Sequence, residues 1–205
     1  MVYAAMRDWA IRRRRGATEP RRSFGVVRQT ACAAGAAALL LLLAALPAAA
    51  ALRTGAPAPD FTAQAALGGA VKEFDLKAAL TKGPVVLYFF PKAFTSGCTI
   101  EAHAFSDHIA DFRRYGATVI GVSSDDIETQ KRFSTQECRS NFLVASDPKL
   151  AIAREYDAVL MGWFANRTSY VIDPDGKVIE AFTNLAPLGH IDNALNALRE
   201  LKEKS

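Results

Sequence analysis

The segment Pro91-Lys92-Ala93-Phe94-Thr95-Ser96-Gly97-Cys98-Thr99-Ile100-Glu101 holds the residue types best suited to chemistry in this chain. It follows a short apolar run and leads into an amphipathic stretch, so it reads as a loop between a central strand and a helix. Open α/β sheets place ligands at such carboxyl ends. A cysteine in the first helical turn faces unpaired N–H groups and the positive end of the helix dipole. Both favour thiolate over thiol, and the thiolate is the nucleophile. Thr95, three residues earlier, can aim its hydroxyl at the same point, and Gly97 lets the backbone approach closely. A buried structural cysteine is the plainer use of a lone thiol. The loop-to-helix setting argues for a reactive one.

Other chemistries find less support. Cys98, His103 and His108 recur every five residues, and five residues turn a helix by about 500°, so the three point in different directions and cannot converge on a metal ion. His103 and His108 are expected to be solvated helix residues, and Tyr156 and Trp163 core or rim aromatics. A disulfide oxidoreductase wants two cysteines two residues apart, and here position 95 is Thr and position 101 is Glu. No Gly-rich phosphate loop and no G-x-S-x-G elbow is present, so nucleotide and acyl-transfer chemistry have no motif. No metal or cofactor is expected.

The elements that must position Cys98 follow from periodicity. Residues 84–90 (P-V-V-L-Y-F-F) form a continuous apolar run, which predicts a buried central strand. Residues 98–115 predict one helix, with Phe105, Ile109 and Phe112 on one face and Gly116 ending it. Residues 118–122 predict a second buried strand. A helix is expected from 126 to about 138, capped by Asp125 or Ser124. A short strand at 143–145 and a helix starting at Ser146-Asp147-Pro148 and carrying Tyr156 come next. Residues 168–172 and 178–182 pair across Asp173-Pro174-Asp175-Gly176. A helix over about 190–203 closes the chain. Upstream, Gly68-Gly69 joins a small hairpin, and residues 52–59 read as a linker. The whole predicts an α/β fold with a central mixed β-sheet flanked by helices.

Charge and hydropathy mark off the N-terminus. Residues 1–51 carry eight arginines, no lysine and two acids, leaving 17 bases and 19 acids in the remainder. The slightly acidic remainder has no basic stripe to track phosphates, so nucleic acid is not expected as a partner. Between Arg28 and Arg53 no residue is charged, and the apolar stretch ends in Pro47 and four alanines. A basic stretch, an apolar helix-former and a run of small residues predict a signal peptide over 1–51. Arg21-Arg22-Ser23-Phe24 is similar to a twin-arginine signal. An uncleaved anchor is the alternative, since roughly 20 apolar residues cross a bilayer. Either way residues 52–205 are expected as a periplasmic or otherwise exported domain, held at the outer side of the inner membrane if the segment stays.

The string Y-F-F-P-K-A-F-T-S-G-C-T-I-E-A, with its P-x-x-x-T-x-x-C core, resembles the active site of the peroxiredoxins (AhpC/TSA family), in particular the bacterioferritin comigratory protein or peroxiredoxin Q subgroup. The likeness continues through A-P-D-F-T at 58–62, G-V-S-S-D at 121–125 and S-Y-V-I-D-P-D-G-K at 169–177. The resemblance implies a thioredoxin-like fold over residues 52–205. It implies a thiol-dependent peroxidase acting on hydrogen peroxide and organic hydroperoxides, recycled by a thioredoxin-like or other thiol reductant, and a monomer or weak dimer. Carried over, Cys98 matches the peroxidatic cysteine, Thr95 the hydroxyl that binds peroxide oxygen, Pro91 the proline that shields the thiolate, and Arg167 the active-site arginine. Glu101 matches an acidic position common in the subgroup, with no role attached. Many relatives place a resolving cysteine five residues after the first, where this chain has His103. Others resolve from the following helix, which makes Cys138 the candidate, with an external thiol as the alternative. An exported thiol-disulfide oxidoreductase or an inactive thioredoxin-fold binding module remain the rival functions.

Overall fold

The computed structural model describes residues 51–204. The expected export segment, residues 1–51, lies outside the described residues save for its last position. No helix among the described residues is long and apolar enough to cross a membrane.

A hairpin opens the fold. Strands β1 (Thr62–Leu67) and β2 (Ala70–Asp75) pair antiparallel across Gly68-Gly69. Both glycines have positive φ, 56° and 81°, which suits the two-residue turn that joins twisted strands. Helix α1 (Leu76–Leu80) is capped by Asp75 and leads to β3 (Val85–Phe89), every residue of which is buried. The period of two explains the unbroken apolar run. Val85, Leu87 and Phe89 enter one core, while Val86 and Tyr88 enter the other, on the opposite face of the sheet. A strand covered on both faces has no polar side to show.

Helices α2 (Ser96–Asp107) and α3 (Ile109–Arg114) follow. They were expected as one helix from Cys98. Instead the helix starts two residues earlier, behind Thr95, and His108 interrupts it at φ −98° and ψ 10°. The His108 ring turns to the Asp111 carboxylate, 3.1 Å away. Strand β4 (Thr118–Ser123) leads to α4 (Ile127–Gln136) and β5 (Leu143–Ser146). Asp126 caps α4, not Asp125 or Ser124: its carboxylate accepts the Thr129 N–H at 2.7 Å. Gly121 in β4 has no side chain because Tyr88 lies against it, and a Cβ there would come within 2.6 Å of the ring.

Helix α5 (Ala151–Glu155) is shorter than expected and begins after Leu150 rather than at Pro148. Asp147 still serves it, accepting from the N–H groups of Ala151 and Ala153. Tyr156 sits just past the helix end as a core residue whose hydroxyl donates to the Pro59 carbonyl. A two-stranded hairpin, β6 (Val159–Leu160) and β7 (Phe164–Ala165), was not expected from the sequence. Its tip carries Met161 and Trp163, 83% and 78% exposed, which makes Trp163 a rim residue. Strands β8 (Thr168–Ile172) and β9 (Val178–Thr183) and helix α6 (Gly189–Lys204) complete the domain.

The sheet runs β2-β1-β5-β4-β3-β8-β9. Strands β3, β4 and β5 are parallel neighbours, while β1, β2, β8 and β9 join antiparallel. This is the expected mixed sheet between helical layers, a thioredoxin-like fold. The stretch expected as a linker is fastened to it. Gly55 and Ala56 exchange hydrogen bonds with Val178, and Ala58 donates to Gly176.

Candidate active site

Strand β3 and helix α2 set the position of Cys98. The chain leaves β3 after Phe90, whose N–H is still bonded to Val122, and turns at Pro91. The loop is tied down by Asp125, whose carboxylate accepts the Ala93 N–H and the Ser123 hydroxyl, each at 2.7 Å. Phe94 is held in the left-handed region at φ 63° and packs edge-on against Phe133 at 5.3 Å. A non-glycine residue there carries strain that the surrounding structure must enforce. Thr95 is the helix N-cap, so Ser96, Gly97 and Cys98 make up the first turn of α2.

Cys98 is 1% exposed. Arg167 reaches it from the turn before β8 and places Nη2 at 3.4 Å from Sγ. Gly97 makes the approach possible, since a Cβ there would lie 3.0 Å from the same nitrogen. Arg167 is itself 5% exposed. A buried cation needs a partner, and Glu101 supplies it: Arg167 Nη1 donates to Glu101 Oε2. Burial pushes the Glu101 carboxyl up to about 8 against the pull of Arg167. Its two charge states therefore interchange at mildly alkaline pH.

Of the residues singled out from the sequence, Cys98 and Arg167 are brought into contact. Thr95 stands at the head of the same helix with its hydroxyl donating to the Lys92 carbonyl at 2.9 Å. Pro91 is half-buried where the loop leaves the strand. Cys98 and Cys138 are both free and buried. Cys138 lies just past the end of α4, and its turn is clamped to the C-terminal end of α2. Ser106 donates to the Cys138 carbonyl at 3.2 Å, and Asn141 donates to Ser106 at 2.6 Å. His103, expected as a solvated residue, is half-buried and 2.9 Å from the Glu137 carboxylate. Burial first, then the nearby Glu137, push the Cys138 thiol up. Among the described residues no group of three or more histidines, cysteines and acids could hold a metal ion.

Two members of the site were not legible as such. Glu101 was visible as an acid three residues after Cys98, one turn along the same face, and as an acidic position common in the resembled subgroup, with no role attached. His190 was passed over as the first residue of the closing helix, yet it is fully buried and 4.0 Å from Glu101 Oε1.

The site thus sets a cysteine at a helix start, with a buried arginine on its sulfur and a glutamate on the arginine. Comparison with known proteins places the chain in a family. The AhpC/TSA family model matches residues 54–181. A chloroplastic peroxiredoxin Q from Sedum lineare is 37% identical over 122 residues, 58% of this chain and 65% of that protein. The chain therefore spans just under two thirds of the Sedum protein's length. A putative peroxiredoxin from Mycobacterium tuberculosis is 34% identical over 132 residues, 62% of this chain and 85% of that protein. The crystal structure of peroxidoxin BcpB from Mycobacterium tuberculosis superposes with a TM-score of 0.67 at 32% identity, covering 73% of this chain and 98% of that one. The chain belongs to the AhpC/TSA family. Within it, the chain is similar to the peroxiredoxin Q and Bcp proteins.

Proposed function

We propose that the chain reduces hydrogen peroxide and small organic hydroperoxides at Cys98. The observation that carries this reading is the Arg167 guanidinium at 3.4 Å from a buried Cys98 sulfur in the first turn of a helix. The Cys98 thiolate attacks one peroxide oxygen, the O–O bond breaks, and the other oxygen leaves as hydroxide or alkoxide and takes up a proton. The sulfur becomes a sulfenic acid, the first step of cysteine oxidation. Arg167 holds the thiolate and stabilises charge growing on the leaving oxygen. In this reading the Thr95 hydroxyl turns from Lys92 to the bound peroxide, and Pro91 keeps water from the sulfur.

We assign the resolving role to Cys138. Its thiol attacks the sulfenic sulfur and expels water, and a thioredoxin-like reductant then reduces the disulfide. Movement is required. Ser106, which holds the Cys138 carbonyl, lies about 12 Å along the helix axis from Cys98, and a disulfide needs Cα atoms within about 7 Å. The end of α4 and the first turn of α2 must open, and helix ends are low-stability regions. Peptide mapping under non-reducing conditions after one equivalent of peroxide is expected to find Cys98 joined to Cys138. A free Cys138 beside a trapped sulfenic acid at Cys98 would show that an external thiol resolves. An enzyme that never forms sulfenic acid at Cys98 is not a peroxidase of this kind.

We also propose that residues 1–51 carry the domain out of the cytoplasm, on the basic, apolar and small-residue pattern they show. Cell fractionation should find the domain in the periplasm or at the outer side of the inner membrane, and an N-terminus between Ala50 and Leu52 marks cleavage. Full-length chain soluble in the cytoplasm would refute it.

A further inference from the structure

The two oxygens of Glu101 are in different circumstances. Oε2 receives Arg167. Oε1 is buried with no hydrogen-bond partner among the described residues and lies 4.0 Å from Nδ1 of His190, whose side chain is also fully buried. The His190 ring is held at both nitrogens. Nε2 is 2.9 Å from the Asn184 carbonyl, which can only accept, so Nε2 carries a hydrogen. Nδ1 is 2.9 Å from the Ser169 hydroxyl, which can donate or accept. The ring can therefore be neutral, with Nδ1 receiving the serine hydrogen, or charged, with Nδ1 donating to the serine oxygen. It keeps both bonds in either state.

A buried carboxylate oxygen facing an imidazole nitrogen whose lone pair already takes the serine hydrogen is unfavourable, because neither brings a hydrogen to the other. One proton on either atom removes the conflict. The two then face each other as acid and base, or as carboxylate and imidazolium. We propose that Glu101 and His190 hold one proton between them, and that His190 is a positioning residue that through this proton decides how much of the Arg167 charge is left for Cys98. The inference rests on the peroxidase reading of Cys98. With the proton in place the pair is neutral overall and Arg167 serves the sulfur. With the proton lost to solvent, a full carboxylate draws on Arg167. A second negative charge then stands beside the sulfur where the reaction itself builds charge.

The surroundings put this loss at mildly alkaline pH. Burial pushes Glu101 up to about 8 and holds the His190 imidazole below its ordinary value. The other titratable groups that reach the pair are Arg167 before β8 and Tyr88 on β3, with Cys98 on α2 touching Arg167. Burial keeps the Tyr88 hydroxyl un-ionised. From β9 the pair meets the uncharged ring of Phe182, edge-on to His190 at 4.9 Å.

Two measurements on the full chain test the proposal. The chain has three histidines, so nitrogen NMR resolves His190, identified by its loss in His190→Gln. Its signal is expected to show a bare Nδ1 with a step near pH 8 that disappears in Glu101→Gln. The rate constant for Cys98 oxidation by hydrogen peroxide is expected to fall above pH 8. In His190→Gln that fall should move to lower pH by about one unit, the scale on which a neighbouring group shifts a carboxyl. A histidine signal indifferent to Glu101→Gln would overturn the shared proton. A His190→Gln profile superimposed on the wild type would overturn the link to Cys98. If peroxide reacts with Cys98 at no pH, the peroxidase reading fails, and the histidine signal still reports on the proton by itself.

Discussion

Cys98→Ser should abolish peroxide reduction. A serine hydroxyl keeps its proton at neutral pH, so the Arg167 guanidinium would sit beside a neutral, poor nucleophile. The expected loss is on the order of 10⁴- to 10⁶-fold, the scale on which removing a nucleophile costs an enzyme. Stopped-flow mixing with hydrogen peroxide measures it directly. Cys138→Ser serves as the companion, because its thiol is buried and the arginine donates to Cys98 instead. That variant should keep the first fast oxidation and lose only recycling through an internal disulfide. Fast turnover in Cys98→Ser would end the assignment of Cys98.

The second large effect belongs to Arg167, and it should separate into two parts. Arg167→Ala removes the donor at the sulfur, and losing one such electrostatic contact costs about 10²- to 10³-fold in rate. It also strips the Glu101 carboxyl of its only hydrogen-bond partner among the described residues, in a buried site, which costs about 1–3 kcal/mol of stability. Adding Glu101→Gln should remove the part of that loss that grows at alkaline pH and return none of the rate.

The stability loss carries its own pH dependence. Glu101 is raised in the folded state, so its contribution to stability falls as pH climbs from its unfolded value toward about 8, and then levels off. Without Arg167 the carboxyl is raised further, so the fall continues above 8. The gap between Arg167→Ala and the wild type should therefore widen on the alkaline side. Denaturant titrations at pH 6 and pH 9 measure this. A gap that is constant, or that closes at pH 9, would show that the carboxyl is not desolvated as described.

Much of the site's logic was legible because it is local. The apolar run of β3 announced a strand buried on both faces, and Thr95 through Cys98 announced a helix start. The places where expectation and structure part have local causes too. Asp126 and Asp125 are neighbours with equal claims to cap α4, and the choice fell to whichever carboxylate the Ala93 loop did not take. His108 carries no glycine or proline signal, so a break there has no signature in one dimension. The β6–β7 hairpin has strands of two residues each, too short for any periodicity to register.

What the sequence by itself determined is the chemistry on offer: a single thiol at a loop-to-helix junction, a glycine beside it and a sheet to carry both. Local backbone preference and the period of apolar residues are enough for that. What only the tertiary structure decided is who meets that thiol. Arg167 is 69 residues from Cys98 and 66 from Glu101 in the chain. They meet because β8 lies antiparallel against β3 and brings the turn before it over the start of α2. His190 reaches the same carboxylate from a helix that follows β9. No pattern along the chain encodes such distances. They follow from strand order and from the rule that a buried charge must be answered by whatever partner the fold carries to it.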